Sequence, residues 1–187
     1  MKIKLKDRIF TCRFAKEEDI GIINRFDINI YKKVNHDFYF RHNETKLKNM
    51  MSYGRKIWVV FYEDKLVAWA GIRLRLDKDE AKDYNLTEKQ IEKAGALVAT
   101  AVSQKFRGYG LQKFLIQKRI EYLKKIKMKY ALTDVNPLNK HSEKNIIACG
   151  FKFTKKARIR RRNSKVMLNH YILKLWYFCI FIKNKTL

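Results

Sequence analysis

Apolar and polar residues alternate along RIFTCRFA, residues 8–15, a period of two that predicts a strand with one face turned inward. The period then lengthens. Over residues 16–34, Ile20, Ile23, Phe26, Ile30 and Val34 recur at spacings of three and four, the stripe of an amphipathic helix. A short second helix is expected from Thr45 to Met51, with Thr45 as its cap. KIWVVFYEDKLVAWAGIRL, residues 56–74, reads as a hairpin whose two β-rich runs meet at Glu63-Asp64-Lys65. Residues 77–93 are polar and predict a loop with a helical turn. ALVATAVS, from Ala96 to Ser103, is nearly continuous apolar sequence, as in a strand covered on both faces. Helical spacing resumes from Leu111 to Lys127, a strand follows at 130–135, and Asn136-Pro137 marks a turn. A helix over 141–149 is stopped by Gly150, and two further strands, 151–159 and 170–178, close the pattern. The order βα(α)βββαβαββ, without a repeat or a low-complexity linker, predicts a mixed α/β sheet in a single domain over residues 1–187.

Composition changes this picture mainly through charge. With 187 residues the chain suffices for one sizeable core, and its formal charge of +25 attracts anions of any kind, from nucleic acid to membrane headgroups and phosphorylated cofactors. A solvated lysine-rich surface produces the same balance, so sign alone names no partner. Residues 144–187 contain no Asp or Glu, and Arg158, Arg160, Arg161 and Arg162 concentrate in RIRRRNSK, which reads as a solvated hairpin tip. There is no RNP-type aromatic motif, zinc finger or helix-turn-helix, so nucleic acid is expected to bind non-specifically if at all, in a way that fades with salt.

Cys12, Cys149 and Cys179 have no CxxC spacing and suit free thiols in a reducing compartment, while the four histidines show no cluster, so no metal site is expected. MKIKLKDRIF lacks the apolar core of a signal peptide. The most apolar window, YILKLWYFCIFI at 171–182, falls short of the roughly 20 residues that span a bilayer. It reads as a buried strand with an extension, which completes the sheet, pairs with a second subunit or packs elsewhere. A cytoplasmic protein with no membrane partner is expected.

Candidate chemistry centres on QKFRGYGLQKFL, residues 104–115. A helix N-terminus offers unpaired N–H groups and a partial positive charge. Glycines just upstream let the backbone curl around a phosphate without a Cβ in the way. Gly108 and Gly110 suit that role, and Arg107 adds a fixed charge beside them. No Gly-Lys-Ser/Thr follows as in a Walker loop, and Lys113 stands where a dinucleotide fingerprint needs a third glycine. An ordinary tight turn from strand to helix would use the same glycines.

The context carries more. A buried strand, then Lys105-Phe106-Arg107-Gly108-Tyr109-Gly110, then a long helix resembles the acyl-CoA motif of the GCN5-related N-acetyltransferases (GNAT), Q/R-x-x-G-x-G/A, with lysine at its first position. Asn136-Pro137, Asn139, Ser142 and Gly150-Phe151 resemble the family's second motif, and FAKEEDIGII its opening strand and helix. The resemblance implies the acyl-CoA N-acyltransferase fold, a single-domain mixed, mostly antiparallel sheet flanked by helices. It implies acetyl-CoA as co-substrate, an amine acceptor on a small molecule or a protein, and direct attack of that amine on the thioester.

It further implies that the N–H groups of Arg107, Gly108, Tyr109, Gly110, Leu111 and Gln112 cradle the pyrophosphate. Ala101 and Val102 would pair with pantetheine, an N–H near Val102 would face the thioester carbonyl, and Asn139 and Ser142 would complete the cofactor site. Two positions depart from the family: Ile146 stands where many members carry a leaving-group tyrosine, and Val98 at the register of the basic glutamate. Asp134 and Ser142 are the weak catalytic candidates that remain, though turn capping is the commoner use of an Asp before Asn-Pro. Thr100, Ser103 and Cys149 read as core groups. The acceptor is expected near Tyr31, His36, Phe38, Tyr39 and residues 77–85, where Asp77, Asp79, Glu80 and Asp83 cluster. A CoA-binding module without turnover is the alternative reading.

Overall fold

A computed structural model describes residues 1–34, 39, 41–52, 56–74, 76–161 and 164–175. Strands β1 (Lys2–Leu5) and β2 (Arg8–Phe14) open the chain, followed by helices α1 (Ile20–Tyr31) and α2 (Glu44–Met51). Strands β3 (Lys56–Tyr62) and β4 (Lys65–Arg73) form the hairpin that the two β-rich runs predict. A 3-10 turn (Lys78–Tyr84) and the short α3 (Glu88–Ile91) lead to β5 (Ala94–Val102). Then come α4 (Leu111–Lys125), β6 (Tyr130–Val135), α5 (Lys140–Ala148), β7 (Lys152–Arg161) and β8 (Ser164–Lys174). The strands form one sheet in the order β1-β2-β3-β4-β5-β6-β8-β7, with β5–β6 parallel and every other pair antiparallel.

Strand pleating divides the core between the two faces of the sheet. On β3, Ile57 and Val59 meet α1 and α2 residues such as Ile23 and Leu47, whereas Trp58 and Val60 belong with Leu111, Leu115 and Leu123 of α4. Among the described residues no helix is long and apolar enough to cross a membrane, and no group of His, Cys, Asp or Glu side chains is arranged to hold a metal ion.

Several expectations need correction. The cap of α2 is Asn43, whose side chain accepts from the Lys46 N–H at 3.0 Å, so Thr45 lies inside the helix. A strand at the very N-terminus, β1, joins the sheet at its edge. The helix expected over 16–34 is a 3-10 turn at 17–19 followed by α1, and the polar segment 77–93 holds two short helical pieces rather than one. β8 begins at Ser164, six residues before the expected strand, because it pairs with β7 along nearly its whole length. Of the arginine-rich tip, Arg158, Arg160 and Arg161 are in β7, and residues 162–163 lie outside the described residues, as do the apolar C-terminal extension and Cys179.

Candidate functional site

After β5 the chain makes a 3-10 turn over Gln104–Phe106 and runs through Arg107 into two left-handed glycines, Gly108 at φ +82 and Gly110 at φ +85. Gly110 is the N-cap of α4 and supplies no side chain to cap it, and the first turn carries no acid. The first helical bond joins the Phe114 N–H to the Gly110 carbonyl at 2.9 Å, so the amides of Leu111, Gln112 and Lys113 begin the helix without acceptors inside it. A Cβ built on either glycine would meet nothing within 4 Å. This open, donor-rich corner borders a cleft of about 1160 Å³. Leu111 is fully buried beneath it. Tyr109 contributes main chain only: its ring turns back onto Phe10, with centroids 6.0 Å apart, and lies under the Arg8 guanidinium at 4.9 Å.

The cleft exists because the sheet splits. β5 pairs with β6 only from Ala94 to Ala96, and the two strands then diverge while β6 continues against β8 as far as Val135. Thr133 spans the start of the gap, donating its hydroxyl to the Leu97 carbonyl at 3.2 Å. On its other side β5 pairs with β4 through a bulge: Ala70 faces Thr100, Gly71 faces Val98, and Ala99 between them sits at φ +43. Beyond the bulge the Ser103 N–H donates to Val67 at 2.8 Å. Antiparallel pairs alternate between bonded and non-bonded. Thr100 and Val102 therefore turn their main-chain polar groups away from β4, into the wedge. The Ala101 side chain is buried on the α1/α2 face.

The facing wall is α5. Asn139 caps it, its side chain accepting from the Ser142 N–H at 3.2 Å. Gln112 of α4 joins the two walls, donating to the Ser142 hydroxyl at 3.0 Å and accepting from Asn145 at 2.8 Å. Asn145 is absent from the sequence-based candidates. Its signal is the spacing of three from Ser142, which puts both on one helix face. Asp134 lines the cleft from the interior of β6, opposite His170, and in the turn that follows Asn136 accepts from the Leu138 N–H at 2.9 Å. Ile146 and Val98 both line the cleft as apolar residues. The Thr100 hydroxyl accepts from Arg119 at 2.9 Å, so it is satisfied as expected, though the residue is half-buried at the cleft and not in the core.

The far end of the cleft is built from side chains. Arg73 and Glu80 form a two-pronged ion pair, with one prong at 2.6 Å. Tyr84 stands beside them, its ring edge-on to His170 at 5.1 Å. Burial, reinforced by the charges of Asp134 and Glu80, holds the Tyr84 hydroxyl well above the usual tyrosine range. Deeper in α1, the fully buried Asp27 accepts from the Tyr39 hydroxyl and from the His42 N–H at 2.6 Å. His42 in turn packs edge-on against Trp69 at 5.3 Å. Of the expected acceptor residues, Tyr39, Glu80 and Tyr84 line the cleft, and His36 and Phe38 lie outside the described residues. The acidic cluster is partly neutralised, since Glu80 pairs with Arg73 and Asp83 lies 3.4 Å from Lys155.

Comparison with curated protein sequences finds no match. Solved structures match closely in shape. An acetyltransferase of the GNAT family from Streptococcus pneumoniae superposes with a TM-score of 0.68 at 13% identity, covering 88% of this chain and 99% of its own. The Salmonella typhimurium protein yncA, solved with its cofactor acetyl-CoA, gives 0.69 at 14% identity over 91% and 96%. The ribosomal-protein-S18-alanine N-acetyltransferase of Escherichia coli gives 0.67 at 14% identity over 89% and 94%. At such identities these likenesses establish the fold, the acyl-CoA N-acyltransferase architecture. The sequence profile of the acetyltransferase (GNAT) family matches residues 28–151, about two thirds of the chain, from within α1 through the glycine loop to the end of the second motif. The chain belongs to the GNAT acetyltransferase family.

Proposed function

We propose that this protein transfers an acetyl group from acetyl-CoA to a primary amine by direct attack of the amine on the thioester. The observation that carries the reading is the uncapped start of α4, set behind two left-handed glycines with open space at both Cβ positions. Acid-free and flanked by Arg107, it suits a pyrophosphate better than any neutral ligand. Acetyl-CoA supplies an activated acetyl thioester. The main chain from Arg107 to Gln112 binds its phosphates, the open edge of β5 at Thr100 and Val102 pairs with its amides as an added strand would, and Asn139 and Ser142 border it from α5. One N–H of that edge faces the thioester carbonyl and favours the charge that develops there.

The amine enters from the end marked by Tyr39, Glu80 and Tyr84. It attacks as the free base, forming a C–N bond to the acetyl carbon while the C–S bond breaks. Its proton passes through water to the departing thiolate, with Asp134 on the cleft wall as a relay. Holding the two reactants in one wedge supplies much of the rate even without a tyrosine at position 146. Ile146 and Val98, both apolar in the cleft, support a second reading, a CoA-binding module without turnover.

Calorimetry with acetyl-CoA at moderate salt, on wild type and a Gly108→Glu, Gly110→Glu variant, tests the first step. Binding by wild type that the variant loses supports the loop assignment, and absence of binding by wild type overturns it. Thiol release with a panel of small amines and a peptide that begins with alanine, the residue in the name of the E. coli neighbour, then separates enzyme from binder. Binding without release from any acceptor favours the second reading.

A further inference from the structure

The buried stripe of α4 runs Leu111, Leu115, Arg119 and Leu123 at steps of four. Three are leucines in the core, and the fourth is an arginine only 2% exposed. Its acceptors are all neutral: the carbonyls of Leu115 at 3.0 Å, Gly71 at 3.1 Å, Val98 at 3.3 Å and Ala99 at 3.4 Å, and the Thr100 hydroxyl at 2.9 Å. A buried charge without a counter-charge is costly, and a fourth leucine would complete the stripe without that cost. Desolvation accordingly pulls the guanidinium down to about 9. Such a residue calls for a task that packing does not explain.

Its place in the sheet supplies one. Gly71, Val98, Ala99 and Thr100 are the residues of the β4–β5 bulge, one step past the point where β5 leaves β6. The extra residue, Ala99, carries its backbone at φ +43, a conformation that a non-glycine residue keeps only where its surroundings hold it. The bulge breaks the ladder and crowds three carbonyls together, and the guanidinium fork is inserted among them. The Ala99 carbonyl and the Thr100 N–H belong to one peptide unit and point in opposite directions. A donor on the first therefore polarises the second. The Thr100 N–H faces the wedge.

We propose that Arg119 is a positioning residue for acetyl transfer: it locks the bulge from behind the sheet and aims a polarised Thr100 N–H at the thioester carbonyl. The idea rests on the acetyl-CoA reading above. With the phosphates at the glycine loop and the pantetheine arm running back along β5, the thioester end lies toward the bulge. The N–H that serves it is then that of Thr100, and Val102 is left for the arm.

Isotope-edited infrared spectra of acetyl-CoA labelled with 13C at the carbonyl, bound to the full chain, give a readout that a purely structural role would not move. In wild type the thioester carbonyl stretch should fall below that of free acetyl-CoA. Arg119→Met should lose most of that fall and about 10- to 100-fold in kcat for thiol release, while acetyl-CoA affinity stays within about threefold because the loop and the start of α4 are untouched. Arg119→Lys keeps a charge behind the bulge without the planar fork, and should recover part of both. If Arg119→Met does not fold, Arg119→Lys and Arg119→Gln carry the comparison, with Lys expected nearer wild type in frequency. A variant lacking the fork that binds acetyl-CoA with the wild-type frequency and turnover overturns the inference. If acetyl-CoA binds with an unshifted carbonyl in every protein, including wild type, only this inference falls. If wild type binds no acetyl-CoA, the functional reading falls, and this one with it.

Discussion

The two ends of the cleft are made of different material. At the end proposed for the cofactor the groups offered to a ligand are main chain: the amides that open α4, and the edge of β5 left bare where the sheet splits. At the end proposed for the acceptor they are side chains brought from distant segments, with Asp27 holding Tyr39 and His42, and Glu80 held by Arg73 beside Tyr84. A main-chain site needs only a backbone path, so it survives almost any change in sequence that preserves two glycines and a helix. A side-chain site changes with each substitution. Neighbours at 13–14% identity keep the same architecture, so the backbone path persists through change at most side-chain positions.

The contrast breaks most visibly at the glycines. Alanines at 108 and 110 have room for their Cβ atoms in the free protein, so only the left-handed backbone opposes them, at about 1–2 kcal/mol each. A bound pyrophosphate would occupy that room. Gly108→Ala, Gly110→Ala should therefore weaken acetyl-CoA binding by at least about 100-fold in calorimetry, while lowering the melting temperature by roughly 5–15 °C. The opposite pattern is expected for Asp27→Ala. It strands the Tyr39 hydroxyl and the His42 N–H in the core, a loss of about 2 kcal/mol of stability, and leaves acetyl-CoA affinity unchanged within about twofold. If Asp27→Ala instead weakens acetyl-CoA binding strongly, the two ends are one coupled unit and the division fails.

The same division governs what can be read from the chain without coordinates. The cofactor end lies in consecutive residues, with strand, glycines and helix in order, so local pattern alone locates it. The bulge leaves no such mark: ALVATAVS is apolar at nearly every position, and a run without alternation does not register a slip of one residue. Arg119 does leave a mark, as a charge in the i, i+4 stripe of leucines, though helical spacing alone treats a lysine- or arginine-rich helix as solvated. β1 alternates as KIKL, but four residues are too short a pattern to stand out until β2 lies beside them. Asp134 looks like a turn residue because Asn136-Pro137 follows it. β8 extends the sheet past it, and it ends as a cleft-lining residue of β6. The acceptor end is assembled by topology from residues 27 to 84, joined by Asp134 and His170, and no local pattern marks their meeting.

Helix α5 is where the division is least clean, because the cofactor wall it forms is held in place by a side-chain clamp. Glu143 accepts from the Tyr171 hydroxyl, from Asn169 at 3.0 Å and from Lys140 at 3.0 Å. The tyrosine hydrogen bond and then Lys140 pull its carboxyl from 4.5 down to about 2. A carboxyl depressed by folding stabilises the native state fully above its unfolded value. That contribution is lost as pH falls from about 4.5 toward about 2, where the folded state also takes up the proton. Glu143→Gln should therefore cost about 1 kcal/mol in denaturant titrations at pH 7, the small figure reflecting solvent screening at the rim of α5. The difference from wild type should shrink as the titrations move below pH 4.5. Acetyl-CoA affinity measured on the same variant sharpens the comparison. A change within about twofold keeps the cofactor end a main-chain device that merely rests against α5. A tenfold loss would show that the clamp from β8 also sets the width of the wedge, so that even the backbone site depends on a side chain more than 30 residues from the glycine loop.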